Sequence, residues 1–327
     1  MTRAEIADYL PRTLEGLDEQ RLADSGVPLG RGVVFVRGKV RDILDLGDEL
    51  LIVTTDRVSA FDRVLTTIPC KGQVLNQISQ FWFGQTEDIV ANHTASELDA
   101  RTVTVKKYEL VPLEVVVRAY LTGSAWRDYE AGRPVSGHQL PPGMRFNEKF
   151  PEPLLTPSTK AERGEHDVPV SREEILEQGV VTEDTLNRLE ETALALFERG
   201  SEIVRASGLI LVDTKYEFGY GEDGLVLVDE IHTPDSSRYW YADAYEERFN
   251  RGEYPKQLDK EYLRRWLMGQ GFQGDGEPPD IPDSIRLDVA ERYVRAYEEI
   301  TGRSFAPSGQ DTEAVIRDIA VFFEQRE

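Results

Sequence analysis

The chain has 327 residues, of which 60 are acidic and 38 are lysine or arginine, so its formal net charge is −22 at pH 7. This excess of negative charge argues against a nucleic acid or an anionic membrane as a partner of the whole surface. The single cysteine, Cys70, excludes a disulfide within the chain, and no apolar run approaches the ~20 residues of a membrane-spanning helix. We therefore expect a cytoplasmic protein.

The spacing of apolar residues predicts the order of helices and strands. Helices are predicted at 2–22, 72–85, 124–132, 182–208, 259–270, 283–301 and 310–325. Strands are predicted within 33–56, on both sides of Pro112 within 101–121, and at 209–218 and 225–232, whereas residues 132–170 are rich in proline and glycine and indicate a long loop. Strands dominate the first part of the chain and helices the last, so we expect the α+β class.

Familiar nucleotide and hydrolase motifs give little guidance. Gly219, Gly221 and Gly224 have the spacing of a dinucleotide-binding loop, but they lie between two predicted strands, where a hairpin turn is the simpler interpretation. The sequence contains neither G-x-x-x-x-G-K-[ST] nor G-x-S-x-G. It therefore gives no support to a P-loop ATPase or to an α/β serine hydrolase.

The stretch RGKVRD places a glycine between basic residues at the start of a predicted hairpin. Gly38 permits the backbone to come close to a phosphate group, and Lys39 and Arg41 supply positive charge. An exposed basic turn without a ligand is the alternative interpretation of the same residues.

A second basic feature lies at the end of an apolar strand. Arg118 interrupts the apolar run, where an unpaired charge would be costly, and Gly123 and Ser124 follow at the start of a predicted helix. An arginine beside free helix N–H groups favours a phosphate, and Arg238 supplies another anion-binding guanidinium. The alternative is that Arg118 pairs with an acidic side chain inside the fold.

Alternating charges mark the strand that begins at Leu209. Asp213, Lys215 and Glu217 occupy every second position and therefore share one face. Together with carboxylates of the next strand they require a compensating cation. Oxygen ligands of this kind suit Mg²⁺ bound with substrate phosphates, and Lys215 would then bind a phosphate group. A ladder of surface ion pairs is the alternative.

The register of this predicted hairpin decides which acid of the second strand joins the charged face. An odd-length loop, such as 220–224, presents Asp229, whereas a four-residue loop at 221–224 presents Glu230. Strand alternation alone leaves both registers open.

Six stretches are informative when they are taken together. They are GKVRD (38–42), DRVSAFD (56–62), PLEVVVRAYLTGSAW (112–126), PSTKAERGEHD (157–167), LILVDTKYEFG (209–219) and VDEIHTPDSSR (228–238). In this order the chain resembles the SAICAR synthetase family of purine biosynthesis, in its longer form. Ala119 and Arg127 stand where glycine and lysine are common in that family, and no charged motif residue is lost.

The resemblance implies a fold and a reaction. The fold is α+β, with an N-terminal antiparallel-sheet lobe similar to the small lobe of protein kinases (1–111), a larger α+β lobe with a helical C-terminus (112–327), and ATP between them. The reaction joins L-aspartate to an aminoimidazole ribonucleotide carboxylate with ATP, through an acyl phosphate. The partners that it implies are small molecules, and we expect neither nucleic acid nor a membrane among them.

The resemblance also implies site residues. ATP is expected at Gly38, Lys39, Arg41, Lys107 and Glu114, with the backbone of 107–114 next to adenine. The other substrates are expected at Ser59, Asp62, Arg118, Ser124, Lys160, Asp167 and Arg238. Glu217 and Asp229 match the family's metal ligands, which favours the odd-length loop. Lys215 and Asp213 are expected to be catalytic, with Asp213 either orienting Lys215 or supporting another residue that contacts the substrates.

Two other functions stay open. One is an ATP-dependent kinase of another small molecule, which the presence of Ser59, Asp62 and Lys160 disfavours. The other is a non-catalytic nucleotide-binding relative, which would be expected to lose a charged motif residue.

Overall fold

The computed structural model describes residues 1–61, 63–160, 168–258 and 261–326. These residues form two compact units, and each is described by itself. The first unit contains the described residues of 1–81, 93–107 and 259–327, and the second contains those of 82–92 and 108–258. The expected lobes are two continuous stretches, whereas each compact unit combines separate stretches of chain.

Strands and helices of the described chain are as follows. The strands are β1 (Val34–Arg37), β2 (Arg41–Asp45), β3 (Glu49–Thr54), β4 (Arg57–Ala60), β5 (Arg63–Thr67), β6 (Ala91–Asn92), β7 (Thr94–Glu97), β8 (Thr102–Lys106), β9 (Glu109–Tyr120), β10 (Lys149–Thr159), β11 (Val168–Pro169), β12 (Leu209–Gly221), β13 (Gly224–Val228) and β14 (Ser237–Tyr241). The helices are α1 (Arg3–Ala7), α2 (Glu19–Asp24), α3 (Lys71–Thr86), α4 (Gly123–Glu130), α5 (Arg172–Glu177), α6 (Glu183–Ala206), α7 (Ala242–Asn250), α8 (Glu261–Gly269), α9 (Asp283–Thr301) and α10 (Thr312–Glu324). Within the described ranges, no helix combines the length and the apolar character needed to span a membrane.

The structure confirms the α+β class and most of the predicted elements. The strands of 33–56, the helix of 72–85 and the three C-terminal helices are present. The glycines at 219–224 belong to a hairpin, as expected, rather than to a dinucleotide-binding loop. Helix α6 begins after Thr182, whose hydroxyl accepts a hydrogen bond from the Thr185 N–H at 3.2 Å.

Several predictions of local structure are wrong. Residues 2–22 form short helices rather than one long helix, and β14 and α7 lie where no element is predicted. Part of the predicted loop at 132–170 is strand β10. Pro151 and Pro153 lie where the β9–β10 register is irregular, which is where a strand tolerates proline.

Pro112 lies inside β9 and does not divide it. Glu217 pairs with Glu114, but Gly219 pairs with Leu110, so the register of β9 with β12 shifts at this point. The extra residues of β9 at this bulge include Pro112. A bulge leaves backbone groups outside the ladder, so the missing proline N–H costs no strand hydrogen bond.

The first unit is built on an antiparallel sheet with the strand order β1-β2-β3-β8-β7, and β4 and β5 form a separate hairpin. Helix α10 and the N-terminal segment pack with this sheet. Their shared buried core is Leu14, Leu17, Leu22, Val27, Val33, Leu44, Leu51, Val53, Val315, Ile316 and Ile319. Each fully buried valine, leucine or isoleucine contributes about 1.5–3 kcal/mol. Helix α10 contributes Val315, Ile316 and Ile319 and is therefore part of the core of this unit.

The second unit is built on a sheet with the order β11-β10-β9-β12-β13-β6. Strand β12 is central, because β9 pairs along one edge while β14 and then β13 pair along the other. Helix α6 packs against β12 and β9. The longest strands of this unit are thus held from both edges, which makes them a rigid base for side chains.

Two glycines in helices provide a test of this packing. A Cβ atom on Gly200 of α6 would lie 2.4 Å from the His232 ring, whereas a Cβ atom on Gly84 of α3 would meet nothing within 4 Å. We predict that Gly200→Ala lowers the free energy of unfolding by about 1–3 kcal/mol through overpacking. Gly84→Ala should raise it by about 0.5–1 kcal/mol through helix propensity.

Urea denaturation of the two variants and the parent measures both changes. A Gly200→Ala protein as stable as the parent would contradict the packing of α6 on the His232 loop.

Candidate active site

The registers around β12 bring the predicted charged residues to one face of the sheet. Asp213 pairs with Arg118 of β9 and with Arg238 of β14, and Glu217 pairs with Glu114 of β9. Residues that pair directly in antiparallel strands point to the same side. The charges predicted from alternation along one strand are therefore joined by charges from its neighbours.

One group on this face consists of Arg118, Ser124, Asp213 and Arg238 and is called the arginine site. The Asp213 carboxylate accepts from Arg118 at 3.1 Å and from the Arg238 guanidinium. Arg118 also donates to the Ser124 hydroxyl at 3.0 Å and to the Thr156 hydroxyl at 2.9 Å. Two guanidinium groups thus share one carboxylate, so the site has an excess of positive charge.

Burial keeps this charge effective. The side chains of Arg118 and Asp213 are only 12% and 5% exposed. Burial lowers the pKa of Arg118, and the charge of Asp213 opposes this effect. An arginine stays protonated in proteins, so the guanidinium is a permanent cation with little water around it.

Gly123 makes the close approach of Arg238 possible. It has a φ of +60° at the start of α4, and a Cβ atom there would lie 2.6 Å from the Arg238 guanidinium. The preceding Thr122 makes no capping hydrogen bond with its side chain. The first N–H groups of α4 are therefore not capped by Thr122, and an anion is a favourable partner for them.

One of the two interpretations of Arg118 now has an outcome. The ion pair with an acidic side chain is confirmed, because Arg118 pairs with Asp213. The phosphate site stays a prediction. Of the two roles expected for Asp213, orienting Lys215 is wrong, since the ion pairs of Asp213 in the described chain are with the two arginines. Its role as a supporting partner stays a prediction.

The second group consists of Glu114, Lys160, Lys215, Glu217 and Asp229 and is called the lysine site. The Lys215 ammonium lies 3.0 Å from Glu114, contacts Glu217 and lies 3.9 Å from Asp229. Lys160 contacts the other oxygen of Glu217. Three carboxylates therefore surround two ammonium groups.

The protonation of these groups follows from their neighbours. Burial alone lowers the pKa of Lys215, but Asp229, Glu217 and Glu114 raise it well above its usual value. Burial favours protonation of Glu217, yet Lys215 and Lys160 lower its pKa to about 2. Burial, together with repulsion by Glu217, raises the pKa of Glu114 to about 7, although Lys215 opposes this effect. Lys215 thus stays cationic at neutral pH, whereas Glu114 is the carboxyl that takes up a proton first.

The register of the β12–β13 hairpin corrects the expected odd-length loop. Gly221 pairs with Gly224, which leaves a two-residue turn, and Glu217 pairs with Val228. Regular alternation from Val228 would turn Glu230 toward the charged face. Asp229 instead has a left-handed backbone with a φ of +69°, which breaks the alternation and leaves its carboxylate near Lys215.

Buried aromatic residues hold the loop that follows Asp229. His232 also has a positive φ, of +50°, and its ring nitrogen lies 2.5 Å from the Tyr216 hydroxyl. The Tyr239 hydroxyl donates to the His232 carbonyl at 2.5 Å. Strained backbone of this kind persists only where its surroundings fix it. One sign of this arrangement is visible in the sequence, because alternation places Tyr216 on the opposite side of β12 from Lys215 and Glu217.

The first unit contains the other predicted ATP residues. The Gly38 N–H donates to the Arg41 carbonyl at 2.8 Å, in the turn between β1 and β2, and a Cβ atom on Gly38 would lie 2.7 Å from that oxygen. Arg57 donates to the carbonyls of Gly38 and Lys39. Gly38 is therefore required by the turn itself. Lys39 is exposed, and binding of ATP at this turn stays a prediction.

Lys107 and Ser59 are also in the first unit. Lys107 pairs with Asp45 at 2.7 Å, and Ser59 lies in β4 near the turn of its hairpin. Asp62 and Asp167 lie outside the described residues. The roles expected for these four residues stay predictions.

Comparison with known proteins decides the family. A family model described as SAICAR synthetase matches residues 34–279. The chain belongs to the SAICAR synthetase family. A phosphoribosylaminoimidazole-succinocarboxamide synthase of Bacteroides thetaiotaomicron is 52% identical over 273 residues, which cover 82% of this chain and 87% of the relative.

Solved structures of SAICAR synthetases agree with this assignment and with the α+β fold. The SAICAR synthase of Saccharomyces cerevisiae, in complex with SAICAR, is 35% identical with a TM-score of 0.75, over 85% of this chain and 98% of that chain. A type 2 SAICAR synthetase in complex with ADP is 27% identical with a TM-score of 0.64, over 84% of this chain and all of that chain.

The lysine site of this SAICAR synthetase family member makes stability depend on pH. The pKa of Glu114 in the fold, about 7, is raised from an ordinary value of 4.5. The stability that this group contributes is complete below the lower value and is lost as the pH rises through the higher one. We predict that Glu114→Gln removes this pH-dependent loss of stability. The denaturation midpoint of the variant should therefore fall less than that of the parent between about pH 5 and 8.

The measurement is made without added divalent cations. Glu222→Gln, in the exposed hairpin turn, is the matched control and should keep the pH profile of the parent. An equally steep profile for Glu114→Gln would contradict the proposed protonation of Glu114.

Proposed function

We propose that the chain is an ATP-dependent carbon–nitrogen ligase. It joins L-aspartate to the carboxylate of an aminoimidazole ribonucleotide and gives SAICAR, ADP and phosphate. Membership of the SAICAR synthetase family supports this reaction, as do the relatives solved with SAICAR and with ADP. The observation that carries the proposal for this chain is the pair of oppositely charged sites on one face of the β9–β12 pair.

The arginine site binds the 5′-phosphate of the ribonucleotide. Two guanidinium groups against one carboxylate leave a net positive charge, and Ser124 adds a hydroxyl donor. Planar guanidinium groups bind phosphate through two parallel hydrogen bonds. The start of α4, next to Gly123, supplies further N–H donors.

The imidazole carboxylate then lies toward the lysine site. Asp213 and Glu217 are separated by four positions on β12, which is roughly 13 Å along a strand. This separation leaves room for a ribose and an imidazole ring between the phosphate and the reacting carboxylate. The two sites on one face therefore suit a substrate with an anionic group at each end.

The main obstacle to the reaction is electrostatic, because a carboxylate must attack a phosphate that is itself negative. Lys215 stays protonated at neutral pH and supplies positive charge where the charge develops. Lys160 is a second ammonium in the same site, and Lys39 of the first unit is proposed to bind ATP phosphates. Such transfers depend mainly on positioning and on charge stabilisation.

The proposed reaction has two steps. A carboxylate oxygen forms a bond to the terminal phosphorus of ATP, and ADP leaves. The amine nitrogen of aspartate then attacks the acyl carbon, phosphate leaves with the bond electrons, and the nitrogen loses a proton.

The carboxylates of the lysine site fit a magnesium ion. Within the described residues, no group of three or more His, Cys, Asp and Glu side chains is arranged to hold a metal by itself. Mg²⁺ commonly takes one or two carboxylates and completes its ligands with substrate phosphates and water. Glu217 and Asp229, which lie around the same ammonium, would hold it, and it would supply charge neutralisation of the phosphates.

The place of the reaction is proposed to be the cytoplasm. The chain has one cysteine, Cys70, which is buried, and its pKa is raised to about 12 by burial. A thiol of this kind is inert and suits a reducing compartment.

A coupled assay of ADP release tests the proposed function. We expect ADP release that requires both the imidazole ribonucleotide carboxylate and L-aspartate, with SAICAR as the product. Release that does not require aspartate would indicate a kinase of the carboxylate instead. Binding of ATP without any release would indicate a non-catalytic relative.

Arg118 tests the arginine site. Arg118→Lys keeps the charge but loses the planar guanidinium, so we predict a rise of roughly 10- to 100-fold in the KM for the imidazole substrate. The KM for ATP should change little. Arg133→Lys, in an exposed ion pair with Asp128, is the control and should leave both constants unchanged. A rise confined to the KM for ATP would contradict the assignment.

Glu217 and Asp229 test the metal ligands. We predict that Glu217→Gln and Asp229→Asn each lower kcat by about 100-fold or more while the circular dichroism spectrum stays that of the parent. Glu230→Gln, which affects an acceptor of the Thr233 hydroxyl, should have a milder effect. If Glu230→Gln and Asp229→Asn lowered kcat equally at every magnesium concentration, the result would contradict the assignment of Asp229 as a metal ligand. It would show that both substitutions disturb the loop.

A further inference from the structure

Phe61, which directly follows β4, has an unusual backbone. Ser59, which the family resemblance places at a substrate, lies two residues before Phe61. Phe61 has a φ of +52°, which is the left-handed region. A bulky aromatic residue rarely adopts this conformation, and it persists only where neighbouring groups fix it.

The neighbouring groups come from the C-terminal part of the same unit. The Phe272 ring meets the Phe61 ring edge to face, with centroids 5.8 Å apart and an interplanar angle of 82°. The Arg264 guanidinium lies 4.7 Å from the centroid of the Phe61 ring. Both are attractive geometries for an aromatic ring, and together they fix the position of the Phe61 side chain.

The backbone of the same segment also contacts the hairpin. A Cβ atom on Gly274, whose φ is +111°, would lie 3.1 Å from the Phe61 Cβ atom. On the other strand, Arg63 lies 5.7 Å from the Phe272 ring centroid and donates to the Gly276 carbonyl. Phe61 and Arg63 are therefore both held by contacts with the segment 272–276. The close approach to Phe61 and the positive φ explain why glycine is needed at position 274.

We propose that Arg264 and Phe272–Gly276 form a clamp that fixes Phe61 and Arg63 and so positions Ser59 of β4 for the imidazole carboxylate or L-aspartate. Arg264, Phe272 and Phe61 are positioning residues. They act on the substrates through Ser59, which lies two residues before Phe61. The proposal rests on the proposed function. It assigns a role in substrate binding to residues 264–276. These lie after 228–238, the last of the stretches that resemble the family.

Steady-state kinetics of Phe272→Leu and Arg264→Gln test the clamp. We expect a rise of roughly 3- to 10-fold in the KM for the imidazole substrate, for aspartate or for both, because one aromatic or cation–π contact is lost. The KM for ATP should stay that of the parent. Arg264→Lys keeps a cation over the ring and should restore most of the affinity. Hydrogen exchange of the amides in β4 and β5 should become faster in Phe272→Leu.

Two matched controls lose the same kinds of contact elsewhere in the unit. Phe305→Leu removes an edge contact with Tyr297 at 5.4 Å, and Arg292→Gln removes a guanidinium that lies 3.8 Å from the Tyr262 ring centroid. Both should keep the parent's KM for all three substrates. If Phe272→Leu does not fold, Arg264→Gln and Phe61→Leu carry the test, because these two side chains are only half-buried.

The outcomes separate this proposal from the proposed function. The clamp is overturned if the variants keep the parent's KM values, if only the KM for ATP rises, or if the controls show the same rises. Failure of the parent protein to form SAICAR would overturn the proposed function. In that case, faster amide hydrogen exchange of β4 and β5 in Phe272→Leu would still support the structural role of the clamp, but not its role in substrate binding.

Discussion

The pairing of β9 with β12 is the constraint on which the candidate site depends. Its register places Asp213 opposite Arg118 and Glu217 opposite Glu114, so that charges from two strands share one face. A shift by one residue would turn every one of these side chains to the other face. The bulge that accommodates Pro112 lies just beyond Glu114, where it leaves the register of the charged pairs intact.

The charges on this face are divided rather than evenly mixed. The arginine site has two cations and one carboxylate, whereas the lysine site has three carboxylates and two ammonium groups. The first favours an anion, and the second favours an additional cation. Burial strengthens both preferences, because charges with little water around them interact more strongly. One strand pair thus carries two clusters of opposite charge, and these are the basis for the proposed phosphate and magnesium sites.

The loop after β13 shows how packing supports chemistry. Asp229 approaches Lys215 because its backbone is left-handed. His232, three residues later, has a left-handed backbone as well. Buried tyrosines on the opposite side of β12 bind His232, and Gly200 leaves room for its ring. The position of a carboxylate on the charged face therefore depends on close packing on the other face.

The sequence by itself determined the α+β class, most helices and strands, the family resemblance and the alternation that unites Asp213, Lys215 and Glu217 on one face. These properties follow from local spacing and from motifs. Tertiary structure alone decided that Asp213 pairs with arginines rather than with Lys215, because that choice depends on which strands lie beside β12. It also decided that Asp229 joins Lys215 despite an even, two-residue turn, because the left-handed backbone of Asp229 cancels the expected alternation, and alternation along a strand does not predict such a residue.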